Sequence, residues 1–431
     1  MKIKSLALVA AAAVVSAGAA QAADLNRPAK VAVDYVKVCD AYGAGFFYIP
    51  GSDTCLQISG YARYTIATGA GRNIFDPAVV PVIRATGNPS YLGFGSNRAS
   101  NSFATGVETE LDFDARTNTA YGLLRSYISI ENDFGSGANG ANGGTTVNMN
   151  RGYLQWGGLT AGRIESNFTF FQGFNDELVF SELAPDYQVN ALSYTFAFGN
   201  GVTATIGLED STTYGGRNGG ATFAYQGNKT PDIVANLNVT QAWGSAQISA
   251  AAHQVYGTGQ GGVGPAINVS RFGYALLAGV WFNLPTLGAG DKIGLQGVYA
   301  QGALRYTSAG EIPGFAGTDL GADASVVNGS SKLGTSWNIY GGYVHNFTPT
   351  VSLAIGGGYQ GQKNSAGFNG DSINYNLGAV GATLGWTPVK GLAIDFNLEY
   401  ENVSFNSATK ADYALRNGDS WLAGLRIKRS F

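Results

Sequence analysis

An all-β fold, a transmembrane antiparallel β-barrel of about sixteen strands, is what this sequence predicts, and three observations carry the prediction. Charged residues are 13% of the chain, about half the ~25% of soluble proteins, while aromatic residues reach 12%. Beyond the first 22 residues no stretch offers the ~20 consecutive apolar residues with which a helix crosses a bilayer. From Leu56 onward apolar and polar residues alternate with period two, and short turns and long loops alternate between the segments. Hydrophobicity on every second residue marks strands with lipid on one side and water on the other.

In chain order, Lys2 and Lys4 precede the apolar run Leu6 to Val15, and Ala20-Gln21-Ala22 follows with small residues. Residues 1–22 thus read as an export signal. The alternative is a membrane anchor, for which the run is short. Residues 23–55 form an N-terminal periplasmic segment that holds both cysteines of the chain. In an exported protein Cys39 and Cys55 predict a disulfide, with two buried thiols as the alternative. A zinc site is disfavoured, because His253 and His345 are the two histidines and both lie far away in sequence, as strand-end residues. The net charge of −3 and scattered basic residues argue against a nucleic-acid partner. No cofactor motif is seen.

The barrel domain is expected over residues 56–431. At 56–66, Leu56, Ile58, Ala62, Tyr64 and Ile66 oppose Gln57, Ser59, Tyr61, Arg63 and Thr65. At 107–116, Val107, Leu111 and Phe113 oppose Glu108, Glu110, Asp112, Asp114 and Arg116. At 120–131, Leu124, Ile128 and Ile130 oppose Arg125, Tyr127, Ser129 and Glu131; at 271–283, Phe272, Tyr274, Leu276, Val280 and Phe282 share a side. Leu392 to Glu401 is the clearest case: Leu392, Ile394, Phe396, Leu398 and Tyr400 lie opposite Asp395, Glu399 and Glu401. Three carboxylates on one strand face suit a water-filled lumen, not a core. The last strand ends in Phe431, with Arg429 on its apolar face, where an interfacial charge costs only ~0–1 kcal/mol.

Tight turns are expected at 117–119, 157–158, 200–201, 243–245, 348–349 and 388–391. Long loops occupy about 68–105, 132–147, 165–188, 210–230, 257–270, 303–335, 361–373 and 403–418. Eight long loops give eight hairpins, hence about sixteen strands, with short turns at the periplasmic end and long loops outside.

The run from Val36 to Leu56, VKVCDAYGAGFFYIPGSDTCL, strongly resembles the opening of alphaproteobacterial outer-membrane general porins of the rhizobial and brucella type. Gly60-Tyr61-Ala62-Arg63-Tyr64 is similar to that family's first strand, and Ala161-Gly162-Arg163 at the entry to the third long loop and the terminal Ser430-Phe431 are also similar to the family. The resemblance implies a sixteen-stranded homotrimer in the bilayer and lipopolysaccharide of the outer membrane, passing small hydrophilic solutes and ions by diffusion.

The third long loop is unlike the others. It carries Phe168, Phe170, Phe171, Phe174 and Phe180 together with Asp176, Glu177, Glu182 and Asp186. Folded inward, its rings pack on the wall and its carboxylates edge the pore; the alternative is an external loop that meets another subunit or a cation. Arg63, Arg116, Arg125 and Arg151 fall on the lumen phase, and Arg163, beside a turn, has no clear phase. Facing rows of charge would bias ion choice at a constriction, whereas an arginine in a wall salt bridge would only stiffen it. Three other functions stay open: a substrate-specific channel for sugars or anions, a barrel enzyme, and a soluble lectin-like β protein. An enzyme is disfavoured, since a nucleophile needs a base and the two histidines are poorly placed.

Overall fold

The computed structural model describes residues 37–71, 103–136, 145–174, 183, 187–212, 217–219, 222–261, 264–307, 321–364, 373–413 and 415–431. Residues 1–22 lie outside them. Residues 39–431 form one compact body, and the description concerns that body.

Its strands are β1 (Phe47–Tyr48), β2 (Cys55–Gly71), β3 (Phe103–Thr119), β4 (Gly122–Ser136), β5 (Thr145–Trp156), β6 (Leu159–Glu165), β7 (Gln188–Gly199) and β8 (Val202–Glu209). There follow β9 (Phe223–Tyr225), β10 (Asp232–Gln241), β11 (Gly244–Gly259), β12 (Ile267–Asn283) and β13 (Lys292–Gln301). The short strands β14 (Ala324–Val327) and β15 (Ser330–Leu333) precede β16 (Thr335–Thr348), β17 (Val351–Asn364), β18 (Ile373–Val389), β19 (Leu392–Phe405) and β20 (Gly418–Ser430). Sixteen of these pair antiparallel in chain order, with β8 on β10 and β13 on β16, until β20 pairs back on β2. Phe431 and Gly60 exchange backbone hydrogen bonds across the seam. Among the described residues the ring of sixteen strands is therefore closed, the form a sheet must take in lipid.

Alternation sets the two faces as expected. Ile58, Leu111, Ile128, Ile206 and Leu398 are each at least 38% exposed on the outer wall, whereas Glu399, Asn397 and Thr383 are buried inside. Outward aromatics gather near both strand ends. Trp156, Trp243, Phe282, Phe347 and Trp386 lie at the short-turn end; Phe103, Phe134, Trp337 and Trp421 lie at the long-loop end. Two aromatic girdles with aliphatic residues between them match a bilayer and its interfaces.

Six of the connections between successive barrel strands are two-residue turns. Asn200 (φ 52°) and Gly201 (φ 77°) both adopt positive φ, the twist that suits a tight hairpin. The first turn lies at 120–121, not 117–119, because Thr117 and Asn118 stay paired and Thr119 bonds across the turn to Gly122 and Tyr121. A seventh connection, 284–291, was not anticipated; Leu284 and Asp291 close it through their backbones. The long connections carry local structure: the hairpin β14–β15, a 3-10 turn at Leu304–Thr307 and a helix at Ser407–Tyr413. Cys39 and Cys55 are disulfide-bonded, with Cα atoms 6.0 Å apart, and Phe46 packs on them.

Candidate functional site: the lumen wall and the inward loop

The lumen faces of β2, β4 and β5 repeat one pattern, a tyrosine and an arginine two residues apart: Tyr61 and Arg63, Tyr127 and Arg125, Tyr153 and Arg151. β3 runs between β2 and β4 and supplies the acids. Arg63 faces Glu108 in register and binds it, and Tyr61 donates to the same carboxylate. Asp114 takes two guanidinium forks, from Arg116 at 2.7 and 3.0 Å and from Arg125 at 2.9 Å twice. Arg125 also donates to Gln155 and lies over Tyr127 and Tyr153, whose rings stack at 5.3 Å. Arg151 pairs with Glu165 at 3.2 Å. These arginines therefore face the lumen as expected, but each is ion-paired on its own wall. Much of their charge is offset locally, contrary to a row of unpaired cations.

Arg163 corrects the expectation in another way. It sits opposite Gly152 and Asn190, in phase with the outward Leu154 and Leu192. Its guanidinium donates to the carbonyls of Met149, Asn150 and Gln188. An extra residue in β5, where the register with β4 shifts beside Ser129, leaves the Met149 and Asn150 carbonyls open to it. Arg163 thus staples the outer wall and does not line the lumen.

The inward loop crosses the other side of the barrel. Asn236 donates to the Asn167 carbonyl and Gln247 to that of Thr169; the Phe171 N–H donates to Gln296. Asn338 donates to the carbonyl of Leu183. The loop is thereby fastened along β10, β11, β13 and β16. Phe168, Phe171 and Leu183 are 0%, 3% and 1% exposed. Two lumen-facing glycines make their seat: a Cβ on Gly279 would meet Phe170 at 2.5 Å, and one on Gly294 would meet Phe171 at 2.7 Å. In the ring order β11–β13 and β16 lie half a turn from β2–β5, so the loop faces the tyrosine–arginine wall. Gln172 of the loop also reaches Glu165, the partner of Arg151.

Asp176, Glu177, Glu182, Asp186 and Phe180 lie outside the described residues. Sequence reasoning placed Glu108 and Glu131 no further than an alternating face and left Asp133 in the long loop 132–147; β4 runs on to Ser136, and the barrel brings the three carboxylates within 4.8 Å of one another. It also passed over Lys428, which lies 4.3 Å over the Tyr61 ring. The signal for Lys428 was the alternation of Leu425 and Ile427 with Arg426 and Lys428, but only barrel closure makes β20 a neighbour of β2. His253 is likewise no strand-end residue: it is buried in the middle of β11.

Comparison with known proteins agrees with this architecture. Porin Omp2b of Brucella canis is 37% identical over 254 residues, and Porin Omp2b of Brucella abortus 36% over 260. Each match covers 57% of this chain, and the chain spans 64% of the length of these relatives, less than two thirds. Among solved structures, the outer membrane channel DcaP of Acinetobacter baumannii superposes with a TM-score of 0.61 at 16% identity, over 89% of this chain and 99% of that one. At that identity the likeness concerns the fold. The Porin subfamily matches residues 25–423, and with the closed sixteen-stranded ring this makes the chain a member of that porin family, a multi-pass β-barrel of the outer membrane.

Proposed function

We propose that the chain forms a passive diffusion pore for small hydrophilic solutes and ions, a channel rather than an enzyme. The observation that carries this is the inward loop, fastened across β10–β16 opposite a wall of tyrosines, arginines and carboxylates. A loop laid across the lumen narrows it without sealing it, and fixed charges at a narrow waist act on ions more than charges in salt-screened vestibules do. Asp176, Glu177, Glu182 and Asp186 would edge the acidic side, with Arg63, Arg125 and Arg151 across from them and Arg116 toward the short-turn mouth. Around this core we propose cleavage of residues 1–22, residues 23–55 on the periplasmic side, and a homotrimer set in the outer-membrane bilayer against lipopolysaccharide.

Reconstitution in planar bilayers tests the reading. Neutralising Asp176 and Glu177 together should move the reversal potential in a salt gradient toward anions. If deletion of residues 170–180 from folded protein left both conductance and selectivity unchanged, the loop would not be the constriction. The repeated tyrosine–arginine pairs on β2, β4 and β5 favour one second reading, a channel with a preference for sugars or organic anions. Such a channel would show current block that saturates with the solute and weakens in Tyr127→Ala.

A further inference from the structure

The pore reading leaves His253 unused. It is 1% exposed, and its ring lies between two carboxylates. Nδ1 is 2.8 Å from Asp232 at the start of β10, and Nε2 is 2.8 Å from the Tyr225 hydroxyl of β9. That hydroxyl is 2.8 Å from Asp323 Oδ2, which Nε2 approaches to 3.8 Å. Asp323 also accepts the N–H of Asn218 at Oδ2 and that of Leu304 at Oδ1, at 2.9 and 2.7 Å. Asp232 accepts the Tyr306 hydroxyl at 2.7 Å.

Counting protons favours one assignment of charge. Each oxygen of Asp323 accepts a backbone N–H, the pattern of a carboxylate. The single hydroxyl proton of Tyr225 must fill the gap to Asp323, and its oxygen therefore accepts from Nε2–H. Nδ1 faces a second carboxyl. A proton between these two rests on the imidazole, whose ordinary pKa is ~2.6 above that of an aspartic acid. Both ring nitrogens then donate. Burial pushes the Asp323 carboxyl up; the His253 charge and the N–H groups of Leu304 and Asn218 act against it.

We propose that His253 is a doubly protonated imidazolium clamped between Asp232 and Asp323, a positioning residue whose charge holds the Leu304–Thr307 turn against the root of the inward loop. The turn hangs from both acids, through the Leu304 N–H and the Tyr306 hydroxyl. The Tyr306 ring meets Phe168 at 4.7 Å and Tyr187 at 5.7 Å, one residue at either end of the loop, and Arg305 lies 4.3 Å over Tyr187. Glu209 of β8 binds Ser166 and Asn167 beside them. Arg217 lies 5.1 Å over the Tyr225 ring, a further charge beside the clamp. Loss of the imidazolium proton at alkaline pH leaves two buried carboxylates facing a neutral ring, an arrangement in which unpaired charge is costly. The clamp loosens, and the turn withdraws its support from Phe168.

Two measurements test this; only the second rests on the constriction reading. In His345→Gln protein labelled with 15N-histidine, His253 is the single imidazole. Its two ring nitrogens should both be protonated at neutral pH, and a bare ring nitrogen overturns the proposal. In bilayers the wild-type channel should show a step in conductance on alkalinisation that His253→Gln lacks. Superimposable pH profiles of the two channels would overturn the positioning role. If the Asp176 and Glu177 changes leave the reversal potential unmoved while both ring nitrogens carry protons, the constriction reading fails and the clamp stands.

Discussion

Asp291 ends the connection before β13 and binds three neighbours on β16: the Tyr343 hydroxyl at 3.0 Å, His345 Nδ1 at 2.7 Å and the Asn346 N–H at 2.9 Å. Desolvation pushes its carboxyl up, but these three donors outweigh it and hold the pKa at about 2, below the ordinary 3.8. A depressed carboxyl stabilises the fold fully above its unfolded pKa and loses that contribution as pH falls toward the folded value. Asp291→Asn should therefore lower the thermal midpoint of the barrel at neutral pH. The gap to wild type should close as pH falls from 3.8 toward about 2, which circular dichroism in detergent would follow; a gap of constant size would place the effect elsewhere. Arg125 belongs to the same scale. Its loss leaves Asp114 with Arg116 alone, so Arg125→Gln should shift the reversal potential toward cations. That Arg125 faces the lumen was legible, because alternation sets a side chain's face within its own strand. Its partner was not: which acid stands beside it depends on the register of the β3–β4 hairpin, and the turn expected at 117–119 lies at 120–121.

Among the elements, the disulfide loop is the most self-contained. Arg116 lies 4.9 Å over the Phe46 ring and 5.7 Å over Tyr42, and Thr54 bonds to Thr117, so the loop is pinned to the ends of β2 and β3. Closing a loop of 16 residues is worth about 3 kcal/mol in the chain-entropy model. Reduction should expose residues 40–54 to protease while the barrel stays folded, read as a clipped product by mass spectrometry; an equally resistant reduced protein would show that packing alone holds the loop. The inward loop can be tested from the wall beneath it. A side chain on Gly294 has no room beside Phe171 and Phe174, so Gly294→Leu should change single-channel conductance in folded barrels. Element boundaries were legible at short turns such as 157–158 and 200–201, while the first turn falls later than expected. Val327-Asn328-Gly329-Ser330 was read as plain loop although Asn-Gly is a strong hairpin signal, and β14–β15 turns there with both residues at positive φ. The connection at 284–291 escaped although Pro285 marks it, because its Gly and Ala resemble the neighbouring strands, which are themselves rich in Gly and Ala.

For the molecule as a whole, the strand count and the two faces were readable from period and loop length, since every membrane strand must repeat both. The direction of insertion follows from the same layout and can be checked on intact cells. A cysteine at Asn328, exposed at the tip of the β14–β15 hairpin, should react with an impermeant thiol reagent, whereas one at Val389, beside a short turn, should not. Reaction at Val389 alone would invert the barrel. Closure between β2 and β20 has a further implication for biogenesis. The first membrane strand has about half its backbone partners some 350 to 370 residues downstream in the chain (Tyr61 opposite Ser430, for example), so the ring is sealed by its most distant contact. An intermediate lacking β20 would present two rows of unpaired N–H and C=O groups to hydrocarbon, at several kcal/mol for each group. Membrane entry is therefore expected only once β20 can pair with β2, or with the open seam capped.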